Sequence, residues 1–103
     1  MDDSRVTSIS ATEAVVLDLL GDGERFGLEL VAQSDGRIKR GSVYVTLARM
    51  EAKGFVESRQ EERPAGAIGL PRRLYKTTAY GATVRQAYRS LREAMSLRPA
   101  EAQ

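Results

Sequence analysis

Apolar positions recur along this chain with a helical period, give way to two short extended runs, and return to a helical period. Ser10-Ala-Thr-Glu13 has the form of a capping box, in which a Ser side chain and a Glu three residues on each satisfy an orphan backbone N–H. Behind it Thr12, Val15, Val16, Leu19 and Leu20 fall at i, i+3, i+4, i+7 and i+8, which predicts one apolar stripe of a first helix. Gly21-Asp-Gly23 stops it. A shorter second helix is predicted from about Phe26 to Gln33, with Phe26, Leu30 and Val31 as its buried side chains and Asp35-Gly36 as its end. Gly41-Ser42 opens a third helix whose inward stripe is Val43, Leu47 and Met50, and Gly54 stands where a left-handed C-terminal cap belongs. Ser42, Val45, Thr46 and Arg49 are left on its outer side, with Tyr44 towards a flank.

Two strands are predicted next, Phe55–Gln60 and Arg72–Thr77, separated by the Pro/Gly-rich run Arg63-Pro-Ala-Gly-Ala-Ile-Gly-Leu-Pro71. Together they describe a hairpin with a long tip. A last helix is predicted from Thr78 to about Leu97, with Pro99 beyond it. There Val84, Tyr88, Leu91 and Met95 fall at i, i+4, i+7 and i+11, a heptad-like seam, and Arg85, Arg89 and Arg92 are assigned to the opposite face. The order is helix, helix, helix, hairpin, helix. This predicts a mainly α fold with a small β-hairpin (α+β): a winged helix-turn-helix followed by a C-terminal helix. In such a module the third helix enters the DNA major groove and the hairpin, or wing, lies beside it.

Composition narrows the chemistry. The 103 residues contain no Cys, His or Trp, which removes disulfides, thiolate nucleophiles, the commonest metal ligand and the usual general base at neutral pH. No enzyme, cofactor or metal site is expected. The formal charge of +2 conceals an asymmetry. Residues 1–36 carry two basic groups against eight acidic ones, and residues 37–103 carry fourteen against six. One cationic face is implied, with nucleic acid, anionic lipid or an acidic protein as candidate partners. No run approaches the roughly 18 apolar residues of a membrane span. The acidic start, Met-Asp-Asp-Ser-Arg, lacks the pattern of a signal peptide, so a cytoplasmic location without membrane contact is expected.

The third helix carries a more specific pattern. Gly41-Ser-Val-Tyr-Val-Thr-Leu-Ala-Arg-Met-Glu51 followed by Lys53-Gly-Phe-Val56 resembles the PadR family of bacterial transcriptional regulators, which has a Gly-Ser/Thr-apolar-Tyr-Pro-x-Leu-x-Arg-Leu-Glu stretch there. Glu13-x-x-Val16-Leu17-x-Leu19-Leu20, Phe26-Gly27 and Arg73-x-Tyr75-x-Thr77 to Gly81 are similar to the rest of the pattern, so the resemblance covers roughly residues 10–95. Val45 stands where the family usually has Pro, which bears on the groove-facing surface and the operator but not on the fold. With one helix after the wing, the chain looks like the short-tailed subgroup. The resemblance implies a homodimeric repressor on pseudo-palindromic DNA, with the last helix and the first building the dimer. Some members respond to phenolic acids or drug-like aromatics, so a small aromatic effector is a further partner class.

The residues assigned to DNA contact are Lys39, Arg40, Ser42, Tyr44, Val45, Thr46 and Arg49, with Arg63, Arg72 and Arg73 of the wing. Ser42 lies near a helix N-terminus, which favours anions. Tyr44 is read either as a phosphate-bonding hydroxyl whose ring packs on the strand before the wing or as a purely structural aromatic. Arg49 either pairs locally beside Glu51 or reaches the DNA backbone. The wing cations suit phosphates or the minor groove, although Glu61-Glu62 opposes this, and Arg73 and Lys76 are alternatively guards of a strand edge. Val84, Tyr88, Leu91 and Met95, with Val15 and Leu19, are assigned to the dimer interface, where Tyr88 is also placed to line an inter-subunit pocket. Arg85, Arg89 and Arg92 are expected to be a solvated face. The expected organisation is a flexible segment at 1–9, a DNA-binding domain at 10–77, a dimerisation helix at 78–98 and a tail at 99–103. The competing reading is a winged-helix protein-interaction module with a basic docking face.

Overall fold

A computed structural model describes residues 8–97. The expected N-terminal segment at 1–7 and the tail from residue 98 onward lie outside the described residues. Seven elements follow one another: α1 (Ala11–Leu20), β1 (Arg25–Phe26), α2 (Gly27–Gln33), α3 (Val43–Ala52), β2 (Val56–Gln60), β3 (Arg73–Thr77) and α4 (Ala79–Met95). The fold is a winged helix with an added C-terminal helix.

α1 starts where the capping box predicts. The Ser10 N–H donates to the Glu13 carboxylate at 2.9 Å, and the Glu13 N–H donates to Ser10 Oγ at 3.1 Å. Its buried set differs from the predicted stripe. Ala14, Val16, Leu17 and Leu20 are buried, whereas Val15 and Leu19 are only half-buried and Thr12 is half-exposed. Residues 15–20 are apolar except for Asp18, so periodicity could not choose the inner face. The choice falls to packing, because α1 is in contact with α2, α3, β3 and α4.

The second departure is β1. Phe26 was assigned to the start of the second helix but belongs to a two-residue strand, where it pairs with Leu74 while Arg25 pairs with Tyr75. The Phe26 N–H donates to the Glu29 carboxylate at 2.7 Å, so Glu29 caps α2 one residue later than expected. The expected hairpin is consequently a three-stranded antiparallel sheet of order β1-β3-β2. Within α2, Leu30 is fully buried and Val31 half-buried.

α3 follows the sequence closely. Val43, Leu47 and Met50 are all fully buried. Its C-terminus closes in a Schellman arrangement, with Gly54 N–H donating to the Glu51 carbonyl and Phe55 N–H to the Met50 carbonyl, at 3.0 and 2.9 Å. That motif requires a left-handed residue, and Gly54 has φ of +85°. The core also takes in Ile38, Phe55, Val56 and Tyr75. Ile38 is held from the turn between α2 and α3, where its N–H donates to the buried Ser34 Oγ at 2.9 Å.

Two contacts lock the helices to the wing base. Lys53 Nζ reaches both oxygens of the buried Glu13 carboxylate at 2.9 Å and the Ser8 carbonyl, tying the end of α3 to the start of α1. Thr78 caps α4 by accepting from Gly81 N–H, and its hydroxyl donates to the Gly54 carbonyl. The outer face of α3 is therefore fixed relative to both the bundle and the sheet.

Candidate nucleic-acid interface

With Val43, Leu47 and Met50 pointing inward, the 3.6-residue period sends Ser42, Tyr44, Val45 and Arg49 outward, all exposed, with Thr46 half-exposed. Ser42 stands at the N-cap, but its side chain makes no cap hydrogen bond. It turns back instead towards the Lys39 carbonyl at 3.5 Å. The first N–H groups of α3 therefore lack the side-chain acceptor that α1 and α4 both possess. Lys39 and Arg40 are exposed immediately before this helix end. Among the described residues, Lys39, Arg40 and Arg49 form no salt bridge with any carboxylate. The local pair considered for Arg49 is not formed, and the Glu51 carboxylate accepts from Ser58 Oγ at 2.9 Å.

Tyr44 packs against the start of α2. Its ring lies on Gly27, the first residue of α2, so closely that a Cβ on Gly27 would stand 2.6 Å from the ring. The hydroxyl end of the ring is the part that lies against Gly27, and about half of the residue as a whole is exposed (52%). Tyr44 is thus both a packed aromatic and a surface group.

The three wing cations part company. Arg63 turns back along the loop, donating to the Leu70 carbonyl at 2.8 Å and to the Ile68 carbonyl. Arg72 stacks over the Phe26 ring, 3.9 Å from its centroid, and pairs with Glu61 at 3.2 Å. That hydrogen bond holds the Glu61 carboxyl below its ordinary range. Arg73 is exposed and bonds only Ser58 Oγ, at 3.1 Å. Among the described residues Lys39, Arg40, Arg49, Arg63 and Arg73 thus have no carboxylate partner, but Arg63 is engaged by backbone carbonyls, and Arg72 is paired with Glu61. β3 lies between β1 and β2, but β1 pairs only with Leu74 and Tyr75, so Arg73 and Lys76 flank the short paired stretch on that side. Lys76 faces Glu57 across the ladder at 3.6 Å.

Arg59 was not singled out in the sequence. Its guanidinium makes a bidentate pair with Glu24 at 2.8 and 2.7 Å, joining β2 to the turn after α1. The hydrogen bond depresses the Glu24 carboxyl and raises Arg59. Only the charge pattern hinted at such neutralisation, and it did not say which cations would be taken.

On α4, Val84 and Tyr88 are half-buried, while Leu91, Met95 and Leu97 are exposed. Arg85 and Arg89 are not simply solvated. Both reach Asp18 of α1, at 2.9 and 3.4 Å, across a cleft of about 410 Å³ whose walls include Val15, Arg37, Tyr88 and Arg92. They sit on the flank of the seam that faces α1. Val15 thus shares the cleft with Tyr88, and Leu19 packs at the edge of the core.

An outward-facing third helix followed by a β2–β3 hairpin is the winged-helix arrangement. The chain matches the description "Transcriptional regulator PadR-like family" over residues 16–87, and it belongs to that family, which is one of regulators rather than enzymes. No curated protein matches it. Among solved structures it is similar to Bacillus subtilis PadR, crystallised with operator DNA, at 20% identity and a TM-score of 0.67, covering 79% of this chain and 48% of that one. The chain therefore spans about half the length of the Bacillus protein. A PadR family regulator of Eggerthella lenta DSM 2243 is 23% identical with a TM-score of 0.68, covering 81% and 72% of the two chains. A MarR family regulator of Enterococcus faecalis V583, at 20% identity and a TM-score of 0.68, covers 92% of both. At these identities the solved structures support the fold alone.

Proposed function

We propose that this chain is a sequence-specific DNA-binding regulator, acting as a homodimeric repressor on a pseudo-palindromic operator. α3 enters the major groove and the wing lies beside it. The observation that carries this reading is the outer face of α3. An N-terminus without a side-chain cap is coupled there to Lys39, Arg40 and Arg49, none of them matched by a carboxylate among the described residues. Val45, Thr46 and Tyr44 supply apolar and hydroxyl groups on the same face for contact with base edges. Bacillus subtilis PadR, which shares the fold, was crystallised with operator DNA, and this supports the DNA-binding reading.

Dimerisation is assigned to α4. Leu91 and Met95 continue the line of Val84 and Tyr88 away from the core, leaving an apolar seam for a second copy. Residues 10–77 then serve as the DNA-binding unit and 78–98 as the dimerisation helix. A small aromatic effector, where one acts, is assigned to the α1–α4 cleft beside Tyr88, whose guanidinium lining favours an acidic ligand.

Titrating a fluorescent duplex at increasing salt tests the reading. Lys39, Arg40, Arg49 and Arg73 on two protomers can neutralise eight phosphates, giving a log–log slope of about −7. Arg49→Ala should make that slope shallower by about 2 for the dimer. A flat salt response, unchanged in Arg49→Ala, would instead favour a basic face that docks an acidic protein.

A further inference from the structure

Some of the exposed large apolar side chains among the described residues lie along α4. Others are Leu28 of α2, Tyr44 and Val45 of α3, and Ile68 and Leu70 of the wing. Ile68 and Leu70 are the most exposed of all, at 91% and 87%. Both sit in the stretch Pro64–Pro71, which contains no charged residue. Arg63, the cation nearest the tip, is engaged by the carbonyls of these same two residues, and a turn closes between Ala67 N–H and the Pro64 carbonyl at 3.1 Å. The guanidinium thus fixes the backbone at the two positions whose side chains stand in solvent. Leu70 and Pro71 also line a groove of about 650 Å³ with Leu28 and Tyr44, so the tip lies on the side that carries the outer face of α3.

We propose that the wing tip is an apolar wedge, with Ile68 and Leu70 entering the minor groove beside each half-site and partly unstacking a base step there. The inference rests on the DNA-binding reading above. Four observations favour DNA as the occupant. The stretch Pro64–Pro71 itself carries no acid to repel phosphate, the exposed Glu62 standing only at its entry, and Arg73 stands at its base without a carboxylate partner. The apolar groups are continuous with the α3 face, and the Arg63 clasp orders them before any contact is made. Aliphatic side chains inserted between base steps kink a duplex by roughly 20–90°. Such insertion costs least at flexible TA or CA/TG steps, so the wedge sets a preference at positions flanking those read by α3.

The test uses the full chain and a duplex carrying its selected site, with the DNA bend read by energy transfer between end labels. The native protein should bend the duplex, and the double variant Ile68→Ser/Leu70→Ser should leave it nearly straight and bind about tenfold or more weakly. Its salt slope should not change, because no charge is removed. Ile68→Leu should keep the bend, whereas Arg63→Gln, which frees the loop, should reduce it. An unchanged bend and affinity in the double variant would overturn the wedge. Unchanged DNA binding with loss of self-association in sedimentation would also overturn it, assigning the tip to a contact between copies. A native chain that binds no duplex would instead defeat the DNA-binding reading, and the wedge with it.

Discussion

Tyr44 and Gly27 show how one small residue sets the posture of the recognition surface. The Tyr44 ring occupies the space where any larger residue at position 27 would place its Cβ. Gly27→Ala should therefore push the ring off its seat. Because the clash is with the outer end of a half-exposed side chain that can swing towards solvent, the stability cost should be small, under about 1 kcal/mol. The substitution should also weaken DNA binding. Combined with Tyr44→Ala, most of that stability cost should vanish, since the clash has lost its partner, and denaturant unfolding of the four proteins of the cycle measures the coupling. Equal penalties in both backgrounds would place the strain elsewhere. Tyr75 makes a pH-dependent prediction. Burial pushes its hydroxyl above the ordinary value of about 10, because the ionised form is penalised in the folded state. Below that value both states hold the neutral phenol and nothing is lost. As pH rises past it the unfolded chain ionises first, so stability should fall towards the raised folded value. Thermal unfolding of Tyr75→Phe should show a shallower alkaline decline than the native chain.

The elements differ in how plainly their sequences announced them. α3 was legible because its start is marked by Gly41-Ser42, its inner face by an unbroken 3.6-residue period, and its end by the one Gly that the Schellman cap demands. The near-continuous apolar run of α1 carries no directional information, so the predicted stripe omits Leu17, which is buried, and includes Val15 and Leu19, which are half-buried. β1 could not be read, since two residues show no alternation and the strand exists only through its partners Leu74 and Tyr75. The wing cations were visible as a group, but their fates depend on contacts far apart in sequence. Arg72 meets Glu61 and Phe26, and Arg63 meets backbone carbonyls that leave no trace in residue type. The seam of α4 carries the prediction at this scale. Replacing Leu91 and Met95, exposed and outside the core, by Glu should leave the monomer's helical signal intact while shifting sedimentation to the monomer. A dimer that persists would remove α4 from the interface.

At the scale of the whole molecule, the charge asymmetry of the chain becomes a spatial one. Acidic side chains of the first third are engaged in holding the scaffold, with Glu13 on Lys53, Glu24 on Arg59 and Asp18 on Arg85 and Arg89. Each such pair withdraws cations of the basic remainder from external contact. The cations left unmatched include Lys39, Arg40, Arg49 and Arg73, around the outer face of α3 and the wing base. A net charge of +2 therefore understates the field on that one surface. Symmetry adds the second expectation, because two copies joined through α4 would present two such surfaces related by a two-fold axis. Selection of bound sequences from a random duplex pool by the purified chain tests the central claim most directly. The account predicts enrichment of an inverted repeat whose half-site centres lie about one helical turn, roughly 34–36 Å, or a multiple of it apart. Recovery of the pool without enrichment would contradict it.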